Sequence, residues 1–347
     1  MPDHATSAHP AVQAQLDRLW SLSPGADILG LDRITALLGR LGNPHHRLPP
    51  VLHVAGTNGK GSTCAFLRSA IEAAGLTAHV YTSPHLVRFN ERIRIAGRLI
   101  EDDALAALLA EVLDHAADIN ASFFEVTTAA AFLAFSRTPA DACIIEVGLG
   151  GRLDATNVIP APIVTGIAQL GLDHQSFLGD TEEAIAGEKA GIAKPGVPLV
   201  TMRYGASVAA RVAEVAASAD AKVSALGTGW HLSIADTLTS TDERGTVETP
   251  LPSMAGPHQP ENLGLAIAML RHQSALDIPP EAYSTAARTT RWPARMQRLR
   301  PGPLTALLPP GSQLWLDGGH NPAAASAIAT ALEAIAHPAI GRSEVHL

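Results

Sequence analysis

The sequence has 347 residues, a net charge of −8, 17% charged residues and 4% aromatics, and its wealth of Ala, Leu, Gly and Val excludes a disordered or fibrous chain and predicts a compact α/β enzyme with a main domain and a second, smaller unit. It has no basic cluster and no Lys/Arg stripe, so nucleic acid and an anionic membrane surface are excluded as partners. Two cysteines, Cys64 and Cys143, make no disulfide framework, and neither the opening MPDHATSAHP nor any charge-free apolar run of about 18 residues marks a leader or a span, so the chain is expected to be cytoplasmic with both thiols in its core.

Along the chain, short apolar runs alternate with helical segments. Strands are predicted at Val51 to Val54, Ala78 to Tyr81, Ala142 to Val147, Ile163 to Ile167 and Pro198 to Met202. Several are continuous rather than alternating, the pattern of strands buried on both faces, which gives a mainly parallel sheet wrapped by helices with ligands at the strands' C-terminal ends. Ser62 to Ala74, followed by Gly75, reads as a helix with its stop signal, and Asp180 with Glu183 three residues on reads as a capping-box start for a helix ending near Gly191. From Arg291 the stretch RWPARMQRLRPGPLTALLPPG changes composition, and the domain boundary is placed inside it, between residues 297 and 298. Beyond it lie one strand, Gln313 to Leu316, and one helix from Pro322 to about Ala336, too little to fold alone, so Leu314, Trp315 and Leu316 are expected to pack on the main domain or stay partly exposed.

The most informative segment is VLHVAGTNGKGST, a buried strand followed by Gly56, Thr57, Asn58, Gly59, Lys60, Gly61 and Ser62 and then a helix. Glycines let the backbone turn so that its N–H groups, the helix N-terminus and Lys60 surround phosphate oxygens. The usual phosphate-loop spacing is not met, because Val54 stands at its first glycine and Gly61 separates Lys60 from Ser62. Glu146 closes an apolar strand where a hard carboxylate faces the ligand crevice and can bind Mg²⁺ that also touches nucleotide phosphates.

GTNGKGST, YTSPHLVRFNERI, IIEVGLGGRLDATN, LDHQSFLGDT, GEKAGI, HQPEN, PARMQ and DGGHNP follow one another in the order found in the dihydrofolate synthase/folylpolyglutamate synthase family, a relative of the Mur peptide ligases, and the chain resembles that family over most of its length. The resemblance implies a P-loop NTPase-like main domain of the Mur-ligase central type, residues 1–297, which binds ATP and a pterin. It also implies an incomplete Rossmann-like glutamate-ligase domain, residues 298–347. The implied reaction is ATP-dependent addition of L-glutamate to dihydropteroate and to folates through an acyl phosphate, by a monomer whose partners are small molecules.

Site residues carried over by the resemblance fall into three groups. Nucleotide contacts are the loop residues 56–62 with Asn262, Arg295, Asp317 and His320. Ser83, Glu146 and His174 ligate one Mg²⁺, and Lys189, carboxylated by CO₂, gives oxygen atoms to a second; Lys60, Lys189 and His174 are the catalytic set. Pterin contacts are Asp27, Ile28, Leu29 and Gly30; Phe124, Glu125, Val126 and Thr127; and Leu153, Asp154 and Ala155. An aromatic beside a carboxylate suits a flat heterocycle with donor nitrogens. No residue stands out as base for the glutamate amine. Because the chain ends at SEVHL, an inactive nucleotide- or pterin-binding remnant is a second reading, and a Mur-like peptide ligase a third, although LGLDR, EVGLGGRLDATN and EKAGI favour the folate branch.

Overall fold

The computed structural model describes residues 5–22 and 29–335. Helices α1 (Pro10–Leu22) and α2 (Asp32–Arg40) precede β1 (Val51–Ala55), α3 (Lys60–Ala73), β2 (Ala78–Tyr81) and the short strands β3 (Ile93–Ile95) and β4 (Arg98–Leu99). Then come α4 (Asp102–Ala116), α5 (Phe123–Arg137), β5 (Ala142–Glu146), β6 (Val164–Ile167), α6 (Gln175–Leu178), α7 (Glu182–Ala190), β7 (Leu199–Thr201), α8 (Ala206–Ser218) and β8 (Val223–Ala225). These strands form one eight-stranded sheet in the order β4-β3-β2-β5-β1-β6-β7-β8, parallel from β2 to β8 with β3 and β4 added antiparallel at one edge.

Burial on both faces explains the unbroken apolar runs. Val51, Cys143 and Ile145 point into a core with α1, α2, α4 and α5. Alternate residues Leu52, Val54 and Ile144 point into a second core built with α3. Ala55, Ile167 and Leu199 pack under α7 and α8. Helix α5 is buried at nearly every position from Phe123 to Phe135, so it serves as core rather than as surface. Both cysteines are free and fully buried, and burial pushes their thiols well up. Among the described residues no helix is long and apolar enough to cross a membrane.

Three features differ from the sequence expectation. Helix α7 is capped by Thr181, whose hydroxyl accepts from Ala184 N at 3.1 Å, and not by Asp180. The hydroxyl reaches the N–H of the third helical residue, one of the free donors of the first turn. A three-stranded antiparallel sheet, β9 (His231–Ile234), β10 (Thr237–Asp242) and β11 (Gly245–Pro250), was not foreseen; it packs on α9 (Gln259–Arg271) and α10 (Pro280–Thr289) and joins the second core through Leu238 and Val247. Past α10, β12 (Gln297–Arg298) pairs antiparallel with β13 (Trp315–Leu316), and α11 (Pro322–Ile335) follows. The expected strand at 313–316 thus forms only at its last two residues, with Leu316 40% exposed.

Candidate active site

The phosphate loop leaves β1 at the centre of the sheet. Gly56 has φ 147° and a Cβ there would sit 2.9 Å from that of Ala168; Gly59 has φ 86° and a Cβ there would strike the Asn262 side-chain oxygen, so both positions exclude other residues. The N–H groups of Thr57 and Asn58 both donate to Gln169 O, at 2.8 and 3.1 Å, and Thr57 Oγ1 donates to Gly171 O at 3.0 Å. The loop is therefore tied to the segment after β6, which leaves the first turn of α3 to face a ligand. Lys60 Nζ folds back onto Gly56 O at 3.0 Å and Thr57 O at 3.3 Å. Ser62 Oγ and Thr63 Oγ1 are buried without a partner, and the Trp292 indole lies against Gly61, its Nε1 2.9 Å from where a Cβ would be.

On neighbouring strand ends stand the expected metal-site residues. Glu146, 4% exposed at the end of β5, accepts from Ser83 N at 3.2 Å, and burial raises its pKa against the opposing pull of Lys60. The Ser83–Pro84 peptide is cis. Lys189, 3% exposed on α7, donates to Gly56 O at 3.0 Å; burial, with Lys60 beside it, lowers its pKa to about 7. It is brought there by glycine packing, since a Cβ on Gly151 would meet the backbone of Glu188 and Lys189 at 2.7–3.0 Å. Arg152 secures the same contact by holding the Glu188 carboxylate at 2.8 Å.

His174 has φ 48° and caps α6, and its ring faces Asp173 at 3.9 Å, while His320 approaches the other oxygen of Asp173 at 3.7 Å. Burial lowers the His174 pKa, which favours the neutral, ligating form. Among the described residues no three His, Cys, Asp or Glu side chains are gathered as a metal cluster. What fits magnesium is oxygen chemistry: a buried carboxylate with one hydrogen bond, and two buried hydroxyls with none, close to a phosphate loop.

The nucleotide-side candidates converge from three segments. Asn262 on α9 donates to Gln259 Oε1 at 3.2 Å and rests on Gly59. Asp317 accepts from Met296 N and Gly319 N, both at 2.7 Å, and Gly318 N donates to Ala294 O at 2.9 Å, so the turn after β13 is stapled on both sides of Arg295. Ala294 and Met296 take φ values of 52° and 41°, uncommon for residues with side chains and frequent at functional sites. Asn321 exchanges two carboxamide hydrogen bonds with Asn58, at 3.2 and 3.0 Å. Asn321, Asp173, Gln169 and Trp292 were not singled out in the sequence, though Asn321 and Asp173 lie inside the DGGHNP and LDH motifs.

Of the pterin candidates, Asp27 and Ile28 lie outside the described residues, and Leu29 and Gly30 are half-buried. Phe124 packs on Gly148 and 6.0 Å, centroid to centroid, from the Tyr81 ring. Glu125 spends one oxygen on Ser122 N at 2.6 Å and Arg33 Nε at 3.0 Å, and its other oxygen is buried and unpartnered. Val126 and Thr127 are fully buried, and the Thr127 hydroxyl donates to Phe123 O at 2.7 Å. Leu153 is half-buried and Ala155 buried beside Asp154, whose carboxylate holds its loop through Leu149 N and Thr156 N at 2.9 and 3.0 Å.

No protein-family profile matches the chain. The dihydrofolate synthase/folylpolyglutamate synthase of Escherichia coli (strain K12) is 36% identical over 311 residues, covering 88% of this chain and 69% of that protein. A solved structure of E. coli FolC with DHPP and ADP superposes with a TM-score of 0.85 at 34% identity, over 97% of this chain and 77% of that one. A bifunctional folylpolyglutamate synthase/dihydrofolate synthase with Mn, AMPPNP and L-glutamate bound gives 0.81 at 32% identity, over 96% and 76%.

Proposed function

The chain belongs to the dihydrofolate synthase/folylpolyglutamate synthase family of ATP-dependent glutamate ligases, and from that premise we propose how its own residues divide the work of joining L-glutamate to dihydropteroate and to folates. A carboxylate is too poor an electrophile for an amine. Its oxygen therefore attacks the terminal phosphorus of ATP, ADP departs, the glutamate nitrogen attacks the acyl carbon, and phosphate leaves with the surplus proton released to solvent.

Residues 56–62 hold the triphosphate, with Lys60 swinging from the loop carbonyls onto phosphate oxygens where negative charge spreads in transfer. Glu146, Ser83 and His174 would hold magnesium, with the unpartnered Ser62 hydroxyl a further oxygen donor, and the ion would neutralise phosphate charge. Lys189 is suited to react with CO₂ because, with its pKa lowered to about 7, a large share of its amine is neutral at physiological pH, and the carbamate would present oxygen atoms beside the loop. Asn262, Arg295, Asp317 and His320 fix the nucleoside end. The pterin lies against Phe124, with the free Glu125 oxygen accepting from a ring nitrogen. Residues 1–297 hold ATP and the pterin, and the segment from 298 onward brings Asp317 and His320 to them. The working unit is a single chain in the cytoplasm.

The observation that carries this reading is the pair Lys60 and Lys189 on one loop carbonyl, with a buried carboxylate at the adjacent strand end. The test is steady-state ADP release by the purified chain over many turnovers, expected to need both dihydropteroate and glutamate. ADP release indifferent to either one overturns it, and use of a peptide precursor in place of dihydropteroate supports the peptide-ligase alternative.

A further inference from the structure

We infer that Asn321 is a positioning residue for ligation, one that ties the segment bearing Asp317 and His320 to the phosphate loop through Asn58, so that loop and segment adopt their working arrangement together. The inference rests on the nucleotide-binding role proposed above for the loop. Asn321 Oδ1 accepts from Asn58 Nδ2 at 3.2 Å and from Ala324 N at 2.9 Å, and Asn321 Nδ2 donates to Asn58 Oδ1 at 3.0 Å and to Asp173 Oδ2 at 3.4 Å. A carboxamide offers two acceptor positions and two N–H groups. All four are used, in a side chain only 9% exposed.

The helix alone does not require asparagine. Asn321 precedes α11 and caps it through Ala324 N, a task that serine or aspartate performs equally well. Donation to Asn58 and to Asp173 at once is what those residues cannot supply. Asn58 in turn is fixed through its backbone N–H to Gln169 O at 3.1 Å. One side chain thereby joins three stretches of chain, those following β1, β6 and β13. Asp317 lies four residues before it and His320 immediately before, so a shift at Asn321 moves both.

The test compares the full chain with Asn321→Ser, Asn58→Ala and the double variant. Serine keeps the cap, so the Tm is expected to stay within about 2 °C, while kcat/KM for ATP falls about tenfold or more, as small misplacements do. In the double variant the loss is expected to match that of the larger single one, because both remove the same link. Wild-type kinetics in Asn321→Ser, or losses that multiply, overturn the inference. A second arm does not depend on turnover: hydrogen exchange of residues 311–335 is measured with and without AMPPNP. Nucleotide is expected to slow that exchange in the wild type and not in Asn321→Ser; equal slowing in both overturns the inference, even were the wild type to ligate nothing.

Discussion

Lys60 and Lys189, 129 positions apart in the chain, place their ammonium nitrogens on the same acceptor, the carbonyl oxygen of Gly56, each at 3.0 Å. Two cations on one carbonyl repel each other, and the buried one yields: Lys189 falls to about pKa 7, first through burial and then through Lys60. Its folded pKa lies below that of the unfolded chain, so below about pH 7 the buried charge costs stability in full, and the cost is relieved as pH rises toward the ordinary lysine range. The unmodified chain is expected to gain thermal stability between pH 7 and 10, and Lys189→Met to lose that dependence; unchanged pH profiles in the variant contradict this.

The same shift predicts carbamate formation near neutrality. With ¹³C-labelled bicarbonate at pH 7.5 a carbamate carbon signal is expected, absent in Lys189→Ala and lost on acidification. Lys189→Ala is expected to cripple ligation, with partial recovery on adding short carboxylic acids. Full activity in the alanine variant removes Lys189 from the reaction.

Lys60→Ala is expected to leave the fold intact, since Nζ bonds only loop carbonyls, and to lower turnover by about two to three decades. It also removes the cation that helps depress Lys189, so the carbamate signal at a given pH is expected to weaken. Near-normal ligation in this variant takes the loop out of the chemistry.

Glu146→Gln and His174→Ala are each expected to raise the Mg²⁺ concentration needed for half-maximal activity, and the exposed His231, replaced by Ala, to leave it unchanged. Burial raises the Glu146 pKa, so its ionised form costs stability at neutral pH and the isosteric amide relieves that cost. Without metal, Glu146→Gln is therefore expected to melt no lower than wild type. A magnesium titration that does not move in either variant refutes the ligand assignment.

Gly151→Ala tests the packing that delivers Lys189. The added methyl meets backbone atoms of Glu188 and Lys189, which cannot rotate away. Overpacking of this kind costs about 1–3 kcal/mol, and a displaced Lys189 is expected to lower ligation by about a hundredfold. A variant with wild-type melting and activity shows that α7 has room to spare.

The central sheet was readable in the sequence because parallel strands buried on both faces leave unbroken apolar runs, as at Val51 and Ala142. The antiparallel sheet of β9 to β11 was not, since Thr237 to Asp242 alternates leucine and serine with threonine and looks like a polar loop. Lys60 and Glu146 declare their chemistry by residue type and by place at a strand end. Asn321 and Asp173 do not: an asparagine before a helix reads as a cap, and only the fold shows what else its carboxamide touches. Val126 and Thr127 lie in a helix buried on nearly every side, which a contiguous sequence motif does not reveal.

Ser83, Glu146, the loop from Gly56 and the segment holding Asp173 leave four consecutive strands, β2, β5, β1 and β6. Hydrogen-bonded strands lie about 4.8 Å apart, so those four ends span about 14 Å. That separation is a ruler fixed by backbone geometry, indifferent to the lengths of the loops between the strands. Loops leaving those ends can therefore lengthen or change residues while the separation between the residues seated at the strand ends themselves stays constant, so the reach of the site and its spacing are set by different parts of the chain.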